Sequence, residues 1–274
     1  MANPTKTRLE PTQIASETFL IHNHQGEGTA PVAVPLNCMI IRGEQPVVVD
    51  TGVAENRDQY LGDVFSIVEP ADIRWVFVSH DDIDHTGNVN ELMAACPNAM
   101  LVLNWFMVER MGESLGVPPT RWRWVADGDV LDVGDRVLHA VRPPIFDSPT
   151  TRGLYDPTTG VYWGSDAFAT PMLTPVRDVA ELDHELWTMG MATFGQYISP
   201  WLSLVDDHRY QETVSRIEAL RPTVLAACHT PVVTGQRVAD AIEIARRTPT
   251  MTVPAPPDQS VLEQIQSAVR DLAA

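Results

Sequence analysis

One stretch of this chain constrains it more than any other. The short apolar run Trp75–Ser79 passes without a break into His80-Asp81-Asp82-Ile83-Asp84-His85-Thr86-Gly87-Asn88. A run of Trp, Val and Phe of that length predicts a buried β-strand, so two imidazoles and three carboxylates are gathered at the carboxyl end of a strand. Carboxylates this close repel and raise one another's pKa, and a cation bound among them removes that cost. His and Asp are ligands for first-row divalent metals. The spacing offers two sets, His80 with Asp82 and Asp84 with His85. The plainer alternative is a solvated acidic loop capping the helix that follows, because Asp is common at helix starts.

Short apolar runs alternate with helical spacing through most of the chain, which predicts a layered mixed α and β domain. Strands are expected at Pro46–Asp50, Arg74–Ser79, Ala99–Leu103, Val137–Val141, Gly160–Gly164 and Thr223–Ala227, several rich in Val and bounded by Gly, Pro or Asp. Asn88–Cys96 and Arg209–Leu220 have helical spacing. No internal repeat and no low-complexity block interrupts the pattern. Residues 1–247 are therefore read as the main domain, and 248–274 as a Pro-rich linker followed by an amphipathic helix. The stretch Thr248–Pro257 carries four prolines in ten residues, which fixes an extended path. Beyond it, Ser260 and Glu263 are spaced as a capping box. Val261, Ile265, Ala268, Val269 and Leu272 fall on one face, either docked on the chain's own domain or forming a dimer contact.

Composition narrows the classes of function. The 274 residues carry 19 basic and 36 acidic side chains, a formal charge of −17, which disfavours condensation on nucleic acid or on an anionic membrane. No apolar run approaches the roughly 18 residues of a membrane span, and the polar start lacks a signal-peptide core. Cys38, Cys96 and Cys228 are scattered, odd in number and without a CxxC pair, so neither a disulfide framework nor a thiolate zinc site is expected. A cytoplasmic protein is the expectation.

The loop His80-x-Asp82-x-Asp84-His85 resembles the HxHxDH signature of the metallo-β-lactamase superfamily, with Asp82 in place of the second His. A carboxylate at that position is similar to the HxExDH loop of the flavodiiron and oxygen-binding diiron branch. The flanks Ala71–Ser79 and Asn88–Leu92 agree with that branch, and further matches at Asn37–Asp50, Tyr155–Phe168 and Ile198–Val232 extend the likeness over roughly residues 14 to 235. It does not include a flavodoxin domain. The resemblance implies a four-layer αββα sandwich with a metal pair at one edge. It also implies three further ligands: Asp147 in Ile145–Pro149, where the family has a His; bridging Asp166 in Gly164–Phe168; and His229 in Cys228–Pro231. On this likeness one metal takes His80, Asp82, Asp147 and Asp166, and the other takes Asp84, His85, Asp166 and His229. Asp147 read alone is equally an Asx-turn residue before Ser-Pro. Asp50, closing a strand, resembles the family's Asp that orients a ligand.

His24 sits in a loop similar to one that brings a His near the diiron pocket, and is placed with Asp84 as a catalytic candidate, in a supporting position. His139 and His184 are read as structural. The Met- and aromatic-rich segment Pro171–Pro200 either lines a pocket mouth or packs the core. Phe194 occupies a position where flavodiiron proteins carry a tyrosine. Hard carboxylates without thiolate favour two iron ions per chain, with zinc or manganese also accommodated. The leading expectation is a diiron oxidoreductase binding or reducing O2 or NO, with electrons from a separate partner protein and a homodimer as the assembly. The alternatives are a hydrolase attacking an ester, lactone or thioester with a metal-bridging water, and a diiron sensor without turnover.

Overall fold

The computed structural model describes residues 7–27 and 32–273. In the first half, the strands are β1 (Thr12–Ala15), β2 (Thr18–Ile21), β3 (His24–Gln25), β4 (Val34–Pro35), β5 (Cys38–Ile41), β6 (Val47–Val49), β7 (Trp75–Phe77), β8 (Met100–Leu103) and β9 (Trp122–Trp124). The second half adds β10 (Val130–Asp132), β11 (Val137–Val141), β12 (Gly153–Asp156), β13 (Val161–Trp163), β14 (Val224–Ala226) and β15 (Val233–Thr234). The helices are α1 (Arg57–Ile67), α2 (Ile83–Thr86), α3 (Val89–Ala95), α4 (Trp105–Met111), α5 (His184–Ile198), α6 (Asp207–Ala219), α7 (Gln236–Arg247) and α8 (Gln259–Ala273). All six strands and all three helices expected from the sequence are present, with ends displaced by a few residues.

Two sheets result, ordered β1-β2-β5-β6-β7-β8-β9 and β10-β11-β12-β13-β14-β15. Strands β5, β6, β7, β8, β13 and β14 carry no charged residue and are apolar throughout because both faces are covered. In β6, Val47 and Val49 point between the sheets, where they meet Phe77, Leu138, Leu154 and Trp163. Val48 points the other way, with Ile40, Val76 and Leu101, onto Tyr60 and Val64 of α1 and Leu92 and Met93 of α3. On the far side of the second sheet, Tyr155, Tyr162 and Leu225 pack on Trp187 and Met191 of α5, Val214 and Ile217 of α6, and Ala241 of α7. Helix, sheet, sheet and helix thus form the four-layer αββα sandwich that the resemblance implies. Burying a Leu, Val or Phe side chain contributes about 1.5–3 kcal/mol.

The pairing of the strands places the site. β6, β7 and β8 run parallel to one another, and β13 runs parallel to β14. Loops following β6, β7, β13 and β14 therefore leave one edge together, carrying Asp50, His80, Asp166 and His229. Three backbone bonds tie them: Asp50 N donates to Phe77 O, Gly164 N to Ala226 O, and Cys228 N to Ser165 O, each at 2.8 Å.

The tail departs from its expectation. The stretch read as a linker is fastened to α5: Gln196 Nε2 donates to the carbonyls of Thr248 at 2.7 Å and Met251 at 2.8 Å, and Tyr197 Oη donates to that of Ala255 at 2.9 Å. At the start of α8, Asp258 caps in place of Ser260, accepting from Ser260 N at 2.9 Å. A carboxylate just ahead of the first turn takes the donors that the expected capping box would have used. Val261, Leu262 and Ile265 are exposed, while the side chains of Ala268, Val269 and Leu272 lie outside the described residues. Among the described residues no helix is long and apolar enough to cross a membrane.

Candidate metal centre

The carboxylate of Asp166 is at the middle of the cluster. It is buried, and its two oxygens face different partners. Oδ1 lies 2.9 Å from His85 Nε2 and 3.1 Å from His229 Nε2. Oδ2 lies 3.4 Å from His80 Nε2 and has no hydrogen-bond partner. Two groups of donors follow, each with ligand atoms within 4.8 Å of one another: Asp84, His85, Asp166, Cys228 and His229; and His80, Asp147 and Asp166.

Each imidazole is aimed by its other nitrogen or by packing. His85 Nδ1 donates to Asp50 Oδ2 at 2.8 Å, and the Asp50 carboxylate also accepts from Ser79 N and Oγ, both at 2.6 Å, and from Trp163 Nε1 at 3.1 Å. His229 Nδ1 donates to the carbonyl of Pro35 at 2.8 Å. These bonds leave Nε2 of both rings turned to the Asp166 carboxylate and available to a metal ion. Both ring nitrogens of His80 are buried without a hydrogen-bond partner. A buried polar atom left unpaired is costly, and a metal ion satisfies His80 Nε2 and Asp166 Oδ2 together, so the donor set fits a metal pair. Asp50 and Ser165 hold positive φ, 62° and 56°, a sparsely populated conformation for residues other than Gly. Ser79 Oγ links the turns bearing them, donating to Asp50 Oδ2 and lying 2.8 Å from Ser165 Oγ. We expect Asp50→Ala to weaken metal binding by roughly 10–100-fold, the usual effect of losing such an orienting partner. Competitive chelator titration measures it.

The cluster is electrostatically matched to cations. Burial alone pushes the Asp166 carboxyl up, but His85 and His80 hold it well below the usual carboxylate range. Burial likewise raises Asp84, and the bond from His229 together with the charges of His85 and His229 outweighs it, leaving a pKa of about 2. Burial pulls the imidazolium of His85 down, and its electrostatic interactions with Cys228, Asp166 and Asp50 lift it well above the ordinary value. His229 behaves alike, through Cys228, Asp166 and Asp84. Asp147 is raised to about 6, first by burial and then by the nearby Asp166 charge.

The structure brings six of the seven expected ligands into the two groups. Asp82, the seventh, reaches His80 Nε2 at 3.4 Å, but its side chain is 53% exposed at the mouth. Asp147 Oδ1 is also 3.4 Å from His80 Nε2, so the turn ahead of Ser148-Pro149 does deliver its carboxylate. His24 stands apart from both groups, with Nε2 on Glu27 Oε2 at 2.8 Å. It pairs across to Pro35 in the β3–β4 ribbon, one step removed from His229. The ring of Phe194 lies 5.5 Å from that of His229 and joins Met172, Leu186, Trp187, Met189 and Tyr197 around a cavity of about 600 Å³.

Asp81 and Cys228 were not anticipated. Asp81, between His80 and Asp82 in sequence, belongs to neither donor group and accepts from Ser148 Oγ at 2.7 Å, Thr150 Oγ1 at 2.5 Å and Arg110 Nε. It clamps the His80 loop to the Asp147 turn and to α4. Sequence alternation alone cannot tell which of three adjacent carboxylates turns outward. Cys228 adjoins His229, and adjacency to a ligand was its only sequence signal.

Gly87 closes the loop. A Cβ there would lie 2.6 Å from Ala54 N and from Gly52 O, and 2.7 Å from Ile83 O. All three are backbone atoms that cannot swing aside, so Gly87→Ala is expected to destabilise the fold by about 1–3 kcal/mol, read from chemical denaturation.

A four-layer sandwich with His and Asp donors at one edge defines the metallo-β-lactamase class. Residues 35–229 match the family described as "ODP family beta lactamase", and the chain belongs to that family. Among curated relatives, it is 32% identical over 133 residues to "Putative diflavin flavoprotein A 1" of Thermosynechococcus vestitus, covering 48% of this chain and 23% of the relative. It is 26% identical over 171 residues to "Anaerobic nitric oxide reductase flavorubredoxin" of Salmonella typhi, covering 62% and 36%. The chain therefore spans well under half the length of these relatives. Among solved structures, the flavodiiron protein of Giardia intestinalis superposes with a TM-score of 0.73 at 17% identity, covering 89% of this chain and 60% of that one. The rubredoxin oxygen:oxidoreductase of Desulfovibrio gigas gives 0.72 at 17%, covering 87% and 61%. At that identity these superpositions establish the fold.

Proposed function

We propose that the chain holds two iron ions and acts as an oxidoreductase on O2 or NO, drawing electrons from a separate partner protein. The observation that carries this reading is the buried Asp166 carboxylate with one oxygen facing His85 and His229 and the other facing His80. The names of the relatives point the same way, since they include a nitric oxide reductase and an oxygen oxidoreductase.

In this reading His80, Asp82, Asp147 and Asp166 hold one ion, and Asp84, His85, Asp166 and His229 hold the other. The pair supplies redox equivalents and open coordination positions when bound. The protein's residues do the rest. Asp50 and the Pro35 carbonyl fix the His85 and His229 rings. Asp84, 3.2 Å from His229 Nε2, keeps an ionised carboxylate beside that ring. Phe194, its ring 5.5 Å from that of His229, presents no donor where the site meets the cavity. His24 is a positioning residue here, steadying Pro35 from across β3 and β4. A homodimer, with the exposed stripe of α8 as a contact, and a cytoplasmic setting complete the proposal.

The test is elemental analysis of anaerobically purified protein with a parallel absorption spectrum, followed by mixing the chemically reduced protein with O2 or NO. Two irons per chain and rapid reoxidation are expected. Two zincs, no reoxidation and cleavage of ester probes would overturn the reading.

A further inference from the structure

We infer that the thiol of Cys228 is a metal ligand of this centre, coordinating beside His229 the ion held by Asp84, His85 and Asp166; the inference rests on the two-metal reading. Cys228 is fully buried, and its Sγ lies 4.0 Å from Asp84 Oδ2. Its sulfur belongs to a set with donor atoms of Asp84, His85, Asp166 and His229 that all fall within 4.8 Å of one another. Two donors bound to one ion at about 2.0–2.3 Å each are at most about 4.5 Å apart, so the sulfur and the Asp84 oxygen already satisfy that limit. The buried Asp166 Oδ2 and His80 Nε2 lack any hydrogen-bond partner, which marks the adjoining position at His80 for a cation, and Asp166 is the group that position shares with the set containing Cys228.

The backbone explains why the sulfur is there. Cys228 follows β14 directly, and its amide donates to the Ser165 carbonyl at 2.8 Å while its carbonyl accepts from Asn37 N at 2.8 Å. Asn37 Nδ2 in turn donates to the Thr230 carbonyl at 2.7 Å. The residue is thus held on both sides, with Asp166 on one neighbouring turn and His229 next in sequence. On coordination the S–H proton leaves to solvent and a sulfur–metal bond forms, with no change of oxidation state. A thiolate is a soft donor, so it makes this position more favourable to iron or zinc than to manganese and distinguishes it from the all-oxygen-and-nitrogen position at His80.

The experiment loads the full chain with cobalt(II) alone and records metal content and the absorption spectrum. The wild type is expected to take two cobalt ions per chain and to show a near-ultraviolet thiolate-to-cobalt band. Cys228→Ser should lose that band while keeping two cobalts, and Cys96→Ser, whose thiol lies in the separate core beneath α3, should retain it. Full occupancy without the band, or a band that survives in Cys228→Ser, overturns the ligand assignment and leaves the two-metal reading intact. Failure to bind cobalt at all overturns both. Should Cys228→Ser not fold, X-ray absorption of the wild-type cobalt protein decides: a sulfur scatterer in the first coordination sphere supports the assignment, and nitrogen and oxygen alone overturn it.

Discussion

Asp166→Ala is expected to hold no more than one metal ion per chain, with an affinity loss exceeding the roughly 10–100-fold that follows removal of an orienting partner. The carboxylate is the one group common to both donor sets, and its removal strands His85 Nε2, His229 Nε2 and His80 Nε2 around an empty centre. Three buried imidazoles then face one another without the charge that sustains them. His80 and His85 have ring centroids only 4.3 Å apart, so protonating both becomes unfavourable. Metal analysis after dialysis against a weak chelator gives the count. Two ions retained in the variant would remove Asp166 from the bridging position.

Metal affinity should fall steeply as pH is lowered, and the sign follows from the shifts in the metal-free fold. His85 and His229 have folded pKa values well above the ordinary 6.5. Their protonated forms stabilise the metal-free protein below the unfolded pKa, and that contribution is lost as pH rises through the folded values. Asp147, raised to about 6, also favours the protonated metal-free state, with its contribution lost as pH rises through about 6. A metal ion must displace these protons to use the ring nitrogens and the carboxylate. Each displaced proton makes affinity change about tenfold per pH unit, so the two imidazoles together produce about a hundredfold loss per unit below their pKa values, and Asp147 adds to it below about 6. Metal-induced stabilisation measured by thermal melting should accordingly be large at pH 8 and small at pH 5. A shift in Tm independent of pH would show that these histidines do not ligate.

Much of the site was legible because it is local. The strand Trp75–Phe77 and the loop from His80 to His85 lie within a dozen residues, and a short apolar run ending in clustered His and Asp announces both the burial and the chemistry. The later candidate ligands Asp147, Asp166 and His229 are single residues in ordinary turns; family resemblance indicated them, while periodicity alone did not. The first strands of the chain, β1, β2 and β5, and helices α1, α5 and α7 were not legible. α1 is mixed in pattern because it buries Asp63 and Tyr60 alongside Val64. α5 carries Gly190 and Gly195 and aromatics on several sides, and its start is set by Asp183 accepting from the amides of Glu185 and Leu186, both at 3.0 Å.

The sequence by itself determined the layered α and β character, the strands buried on both faces and the metal-binding chemistry of the His80 loop, since each depends on neighbours along the chain. Only the tertiary structure decided which carboxylate does what. Asp82, Asp84 and Asp81 are alike in sequence, yet Asp84 meets His229, Asp82 stays at the mouth, and Asp81 turns away to Arg110, Ser148 and Thr150. It also decided that Cys228 joins the cluster, because the parallel pairing of β13 with β14 sets the thiol beside Asp166. Distances across separate sheets are fixed by packing, which no local pattern records.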